Sequence, residues 1–185
     1  WELPRLLAVP FILVFAALVF ARKAFEFEAL RDSALAFAAF CLLASGVYAF
    51  NDVVDREQDR KHPRNRRRPV ASGAVAPLTA IAVALSLWAV GFGLATRLTP
   101  LFLGVCLAYV LNSVLYCLFL KKLVIVDVFS VVFGFFLRVV GGAAAISVGI
   151  SNWLVVCTVS FALFLVFCKR RAELGHGDEY KEVLG

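Results

Sequence analysis

Apolar residues in this chain run in long blocks separated by short polar connectors. A helix that crosses the hydrocarbon core of a bilayer needs about 20 mainly apolar residues. Six stretches approach that length, at 3–21, 33–50, 78–96, 100–120, 123–148 and 152–168. The pattern predicts an all-α integral membrane protein, and its spans leave no room for a separate soluble domain. Residues 1–185 are therefore read as one transmembrane domain. The connectors at 97–100 and 149–152 are short enough to require antiparallel neighbours in a bundle. One connector, 51–77, is long and polar.

Composition supports this reading. The AVILMFWYC share is 62%, with 18 Phe and only 17% charged residues, whereas soluble domains carry roughly 45–50% apolar residues even with Gly counted. The five cysteines (Cys41, Cys106, Cys117, Cys157 and Cys168) sit in or at the end of apolar blocks, with no C-x-x-C and no His at ligand spacing. They read as apolar fillers rather than as a disulfide framework or metal cluster. Residues 6–20 lack a basic n-region and a small-residue cleavage site, so they read as a span and not a signal peptide. The chain begins at Trp1 and contains no Met; it is read as part of a longer protein.

Nineteen basic residues against thirteen acidic ones give a net charge of +6. Placing the bases explains the excess. With the long connector in the cytoplasm, the inner side collects Arg5, seven bases from Arg56 to Arg68, Lys121, Lys122, Lys169, Arg170, Arg171 and Lys181. The outer side holds Arg22, Lys23, Arg31 and Arg97, and Arg138 falls inside a span. By the positive-inside rule this predicts a multi-pass protein of the cell (inner or plasma) membrane, with the long connector cytoplasmic. The charge is topological, and no nucleic-acid partner is expected.

The chemistry begins where the second span ends. Asp52, Asp55 and Asp59 fall within an arc of about 60° if the helix continues. Three acids on one face repel each other unless a cation holds them. Hard oxygen ligands without His or Cys suit Mg²⁺, which takes one or two carboxylates plus substrate phosphate oxygens. Glu57 points elsewhere and is expected to pair with nearby arginines. A plainer alternative is an amphipathic helix end with acids and bases paired four residues apart, as in Asp52 with Arg56. Acids that start immediately at a membrane span favour the functional reading. The following run, with Arg60, Arg67 and Arg68, can bind phosphates bidentately, or it can enforce topology and touch anionic lipid.

Two further spans hold polar residues. Tyr109, Asn112 and Tyr116 share one arc of the fourth, with Lys121 at its end, and Asn112 needs an internal partner. In the fifth, Asp127, Ser130, Gly134, Arg138 and Gly141 form one stripe. Charges near the bilayer centre cost about 2.5–3.5 kcal/mol each, so this stripe should face the bundle interior. Asp127 and Arg138 are about 16 Å apart along a helix, too far to be only each other's partner. The sixth span ends in Lys169, Arg170, Arg171 and Glu173. Acids, bases and tyrosines of four spans thus converge on one membrane face, beside an apolar body suited to a lipid.

Asn51-Asp52-x-x-Asp55-x-x-x-Asp59 resembles the first aspartate-rich motif of the UbiA superfamily of membrane prenyltransferases. Three further groups narrow the resemblance to the decaprenyl-phosphate phosphoribosyltransferase branch: Arg67-Arg68-Pro69-Val70-Ala71-Ser72-Gly73, Tyr116 with Lys121 and Asp127, and Arg138 with the Lys169-Arg170-Arg171-Ala172-Glu173-Leu174 segment. The resemblance implies a UbiA-like bundle with six of about nine helices present. It also implies transfer of 5-phosphoribose from phosphoribosyl pyrophosphate to a polyprenyl phosphate, in the supply of arabinose for cell walls. On the same resemblance Asp52, Asp55 and Asp59 hold Mg²⁺ and are the catalytic residues, and Asn51 bonds the same groups. Arg60, Arg67 and Arg68 bind donor phosphates, Lys121, Lys169 and Arg170 the acceptor phosphate or the donor. Tyr116 adds to substrate binding, and Asp127, Arg138 and Glu173 orient these groups.

The chain departs from the pattern twice. Only fragments of the family's basic element before the first span occur in Trp1–Pro10, and no second D-x-x-x-D follows the sixth span, since Asp178 and Glu179 are adjacent. The second departure favours the phosphoribosyl branch over a prenyltransferase that takes prenyl diphosphate and an aromatic or quinone acceptor. A small membrane transporter or structural subunit, with the charged stripe lining a path, is the rival from another class. The reading leaves room for a homo-oligomer.

Overall fold

A computed structural model of the chain describes residues 13–23, 25–61, 63 and 65–183; within that range the side chains of Lys122, Val124, Lys169, Arg170 and residues 172–183 are outside the description. A single 3₁₀ turn, Leu13–Phe15, leads into the short helix α1 (Ala16–Phe20). The helices that follow are α2 (Phe27–Val54), α3 (Arg56–Lys61), α4 (Pro77–Ala95), α5 (Pro100–Leu118), α6 (Val124–Ala145) and α7 (Asn152–Val183).

Four of these are long and apolar enough to cross a membrane: Phe27–Val54, Pro77–Ala95, Pro100–Leu118 and Ile125–Ala145, with mean hydropathies of 1.9, 2.0, 2.1 and 1.9. Among the described residues these are the second to fifth of the six expected spans. The apolar part of α7 covers only Asn152–Cys168, and the first predicted span lies mostly outside the described residues. The second span is longer than its apolar block suggests. At 28 residues α2 measures about 42 Å against a hydrocarbon core of about 30 Å, so its polar last turn, with Asn51 and Asp52, reaches beyond the lipid tails.

Start signals are local. Pro77 and Pro100 occupy first-turn positions of α4 and α5, where the missing N–H costs nothing. Thr99 caps α5 by accepting from the Phe102 N–H at 3.1 Å, and its hydroxyl donates to Ala144 O at 2.8 Å. One side chain thereby joins the start of α5 to the end of α6.

Packing depends on small residues. Gly46 of α2 lies against the Trp88 indole of α4, whose N–H donates to Leu43 O at 3.1 Å. Gly141 of α6 meets Phe40, which packs edge-on against Phe102 and Tyr109. Gly142 lets the Val14 backbone approach so closely that a Cβ there would stand 2.0 Å from its carbonyl oxygen. Outside this core the chain exposes Leu101, Leu111, Ile125, Phe129, Phe164 and other large apolar side chains. Water tolerates no such continuous apolar surface, whereas lipid does.

Candidate active site at one end of the bundle

α2 carries Asn51 and Asp52 on its last turn and is interrupted at Asp55, where φ is −90° and ψ 1°; α3 resumes at once. Helical hydrogen bonds persist across the break, from Asp55 N–H to Asn51 O at 2.9 Å and from Asp59 N–H to Asp55 O at 2.8 Å. The acids accordingly remain on neighbouring turns, although their partners are remote in sequence. Arg68 Nη1 donates to Asp59 Oδ2 at 2.9 Å and to Asp52 Oδ1 at 3.3 Å. Asn65 Nδ2 donates to Asp59 Oδ1 at 3.0 Å. Asp55 pairs with Lys121, from the connector between α5 and α6.

The segment after α3 is not the open loop its polarity suggests. A 3₁₀ turn at Asn65–Arg67 is followed by bonds from Arg68 N–H to Asn65 O at 2.9 Å and from Ser72 N–H to Arg68 O at 2.8 Å. Val70 and Ala71 are buried, and Arg60 Nε donates to Ala71 O at 3.2 Å. Gly73, at φ 84°, takes the left-handed turn that glycine tolerates. This strap lays Arg68 across the acids.

The plain alternative of acids and bases paired four apart is not what forms. Asp52, Asp55 and Asp59 pair with groups 16, 66 and 9 positions away. Glu57 does pair locally, with Arg60 at 3.5 Å, as its helix position predicts. Arg67 is exposed on its turn. Tyr116 is half-buried on α5. Lys169, Arg170 and Glu173 lie outside the described side chains. Two groups that the sequence did not single out also belong here. Asn65, the one amide within an arginine run, supports Asp59; Arg56, beside Asp55, has its Nε buried without a hydrogen-bond partner.

The polar stripe of α6 faces inward as expected. Asp127 is 3% exposed, Ser130 6% and Arg138 8%. Asn112 finds its partner in Ser130, donating to its carbonyl oxygen and accepting from its hydroxyl, both at 3.1 Å. Deeper in the bundle, Arg138 Nη2 donates to the Tyr109 hydroxyl at 2.9 Å, and its guanidinium lies 5.0 Å from the Tyr109 ring centroid and 5.5 Å from that of Phe135.

Among the described residues the donors gathered here are hard carboxylate oxygens, the kind that a divalent cation such as Mg²⁺ takes. The orphaned Arg56 Nε adds an unspent donor for an anionic ligand beside them. In this arrangement Arg68 and Lys121 stand at the carboxylates, and among the described residues no three His, Cys, Asp or Glu side chains converge on one point.

A bundle of membrane-length apolar helices that gathers carboxylates, guanidinium groups and an ammonium group at one end is a multi-pass membrane protein with a polar site at the membrane surface. Residues 8–170 match the UbiA prenyltransferase family, and the chain belongs to that family. It is similar to the decaprenyl-phosphate phosphoribosyltransferase of Mycobacterium tuberculosis, 37% identical over 147 residues that cover 80% of this chain and 49% of the relative. The decaprenyl-phosphate phosphoribosyltransferase of Corynebacterium glutamicum is 35% identical over 155 residues, covering 81% of this chain and 46% of that protein. Protoheme IX farnesyltransferase of Azotobacter vinelandii is 38% identical over 117 residues, 62% of this chain and 36% of the relative. The chain spans about half the length of the phosphoribosyltransferases it matches.

Proposed function

We propose that this chain carries the donor site of a membrane transferase that moves 5-phosphoribose from phosphoribosyl pyrophosphate to a polyprenyl phosphate such as decaprenyl phosphate, on the cytoplasmic face, in the synthesis of arabinan precursors for the cell wall. The observation that carries the reading is the acid cluster of Asp52, Asp55 and Asp59, with Arg56, Arg60, Arg68 and Lys121 close by. Support comes from the likeness to phosphoribosyltransferases over about four fifths of the chain.

In the reaction an oxygen of the acceptor phosphate attacks C1 of the ribose, the bond from C1 to the pyrophosphate oxygen breaks, and pyrophosphate leaves with the electron pair. The nucleophile is already an anion, so no strong general base is required and positioning supplies most of the rate. Asp52, Asp55 and Asp59 would hold Mg²⁺, which when bound neutralises charge on the leaving pyrophosphate, and Asn51 would hydrogen-bond the same groups. Arg60, Arg67, Arg68 and the unspent Arg56 Nε donate to donor phosphates. Lys121, Lys169 and Arg170 are assigned to the acceptor phosphate, with Tyr116 beside them. Asp127, Arg138 and Glu173 orient these groups.

The test is transfer of labelled phosphoribose to polyprenyl phosphate by the full-length protein with magnesium. Asp55→Ala is expected to lower turnover by at least about a hundredfold, the scale on which one electrostatic group of an active site acts; wild-type turnover in that variant would sink the proposal. The farnesyltransferase likeness favours one rival, a prenyl diphosphate donor with an aromatic or quinone acceptor, and parallel incubation with the two donors separates them. Absence of magnesium-dependent pyrophosphate release with either donor would point instead to a transporter or structural subunit.

A further inference from the structure

The acids of the proposed metal site are already neutralised by cations of the same chain. One nitrogen, Arg68 Nη1, lies 2.9 Å from Asp59 Oδ2 and 3.3 Å from Asp52 Oδ1, and so occupies the space between the two carboxylates. A Mg²⁺ ion held by these carboxylates would compete for the oxygens that Arg68 now takes and would add positive charge beside its guanidinium.

The Arg68 pair differs from an ordinary surface ion pair in that the Asp59 side chain is only 6% exposed, although Arg68 itself is 39% exposed, so solvent screens the contact in part. The same contact is one of several that tie the strap to α3. Asn65, three residues before Arg68, donates to the other oxygen of Asp59, and Arg60 ties Ala71 to α3. Arg66 and Arg67, between these anchors, are exposed.

We infer that Arg68 is a built-in competitor of the divalent cation: it locks the 65–72 strap over Asp52 and Asp59, and cation binding at those carboxylates frees the strap and its guanidinium for the phosphates of the incoming donor. This rests on the metal reading under Proposed function. Competition is reciprocal by linkage, so removing Arg68 must tighten the cation and adding the cation must loosen the strap.

Both consequences are measurable without turnover. In the first experiment Mg²⁺ alone, with no donor, is titrated by calorimetry into the full-length protein in lipid nanodiscs. Arg68→Gln is expected to bind Mg²⁺ at least fivefold more tightly than wild type. Arg66→Gln removes the same charge from the same strap without touching the acids, and its affinity should stay within about twofold. Unchanged or weaker binding in Arg68→Gln, or equal tightening in both variants, overturns the inference while leaving the metal site in place. No Mg²⁺ binding by wild type or either variant overturns the metal reading and the inference together.

The second experiment needs no substitution. Limited trypsin digestion of the wild-type protein, read by mass spectrometry, should cut after Arg66 and Arg67 several-fold faster with Mg²⁺ alone, relative to a reference peptide in the same tube. Protection or no change at these bonds overturns the release step.

Discussion

Arg138 shows how a charged residue is held inside a lipid-facing bundle. Its insertion costs about 2.5–3.5 kcal/mol at a span centre, and the structure offsets this with the Tyr109 hydroxyl at 2.9 Å and two aromatic faces; cation–π contacts reach about 2 kcal/mol when desolvated. Tyr109→Phe keeps the ring and removes the acceptor, so it should lower stability by about 1–3 kcal/mol. Tyr109→Ala also deletes the edge-on contact with Phe40 and should lower it further. Thermal unfolding in detergent checks the order; equal midpoints for both variants would assign the effect to the hydroxyl alone. The Asn112–Ser130 pair belongs to a weaker class, since hydrogen bonds between membrane helices average about 0.6 kcal/mol. Ser130→Ala should therefore cost under about 1 kcal/mol, read as the shift in unfolding free energy within a bilayer. At this scale the acid motif and the need of Asn112 for a partner were legible in the sequence. Asn65 and Arg56 were not, because nothing local distinguishes them from the arginine run around them.

At the scale of elements, glycines determine which helices can touch. Gly142 on α6 accepts the Val14 backbone, and an added methyl would stand 2.0 Å from a carbonyl oxygen that cannot move aside alone. Gly142→Ala should push the segment around Val14 off α6 and cost about 1–3 kcal/mol, the range for overpacking. Gly93 on α4 faces open space, and Gly93→Ala should be neutral or stabilising by about 0.5–1 kcal/mol, because alanine is the better helix former. Comparing the unfolding midpoints of these two variants checks the packing directly; similar losses in both would contradict the placement of α6 against Val14. Hydropathy located these helices to within a few residues but did not show which glycine is a contact, since a small residue in an apolar block looks the same on either face.

Across the whole molecule, α2 and α5 run in one direction and α6 in the other, so that the end of α2, the connector after α5 and the start of α6 meet at one membrane face, with Asp55 and Lys121 in contact. Arg31 and Arg97 lie together at the other end. The loop-by-loop count of bases predicts that the acid end is cytoplasmic. In a background with the five native cysteines replaced by alanine, Ser72→Cys should react with a membrane-impermeant maleimide only in inside-out vesicles, and Arg97→Cys only in right-side-out ones; the reverse pattern would invert the orientation. The sequence by itself determined that the chain is helical and membrane-spanning, and that its acids and bases gather at one side. Apolar block length, helical period and charge bias are properties of contiguous residues, and they survive any arrangement of the helices. Only the tertiary structure decided who neutralises whom. Asp52 and Asp59 share Arg68, and Asp55 takes Lys121 from 66 positions away. These pairs form because the strap folds back over α3 and the connector after α5 reaches the end of α2, and an ion pair is set by distance in space rather than along the chain.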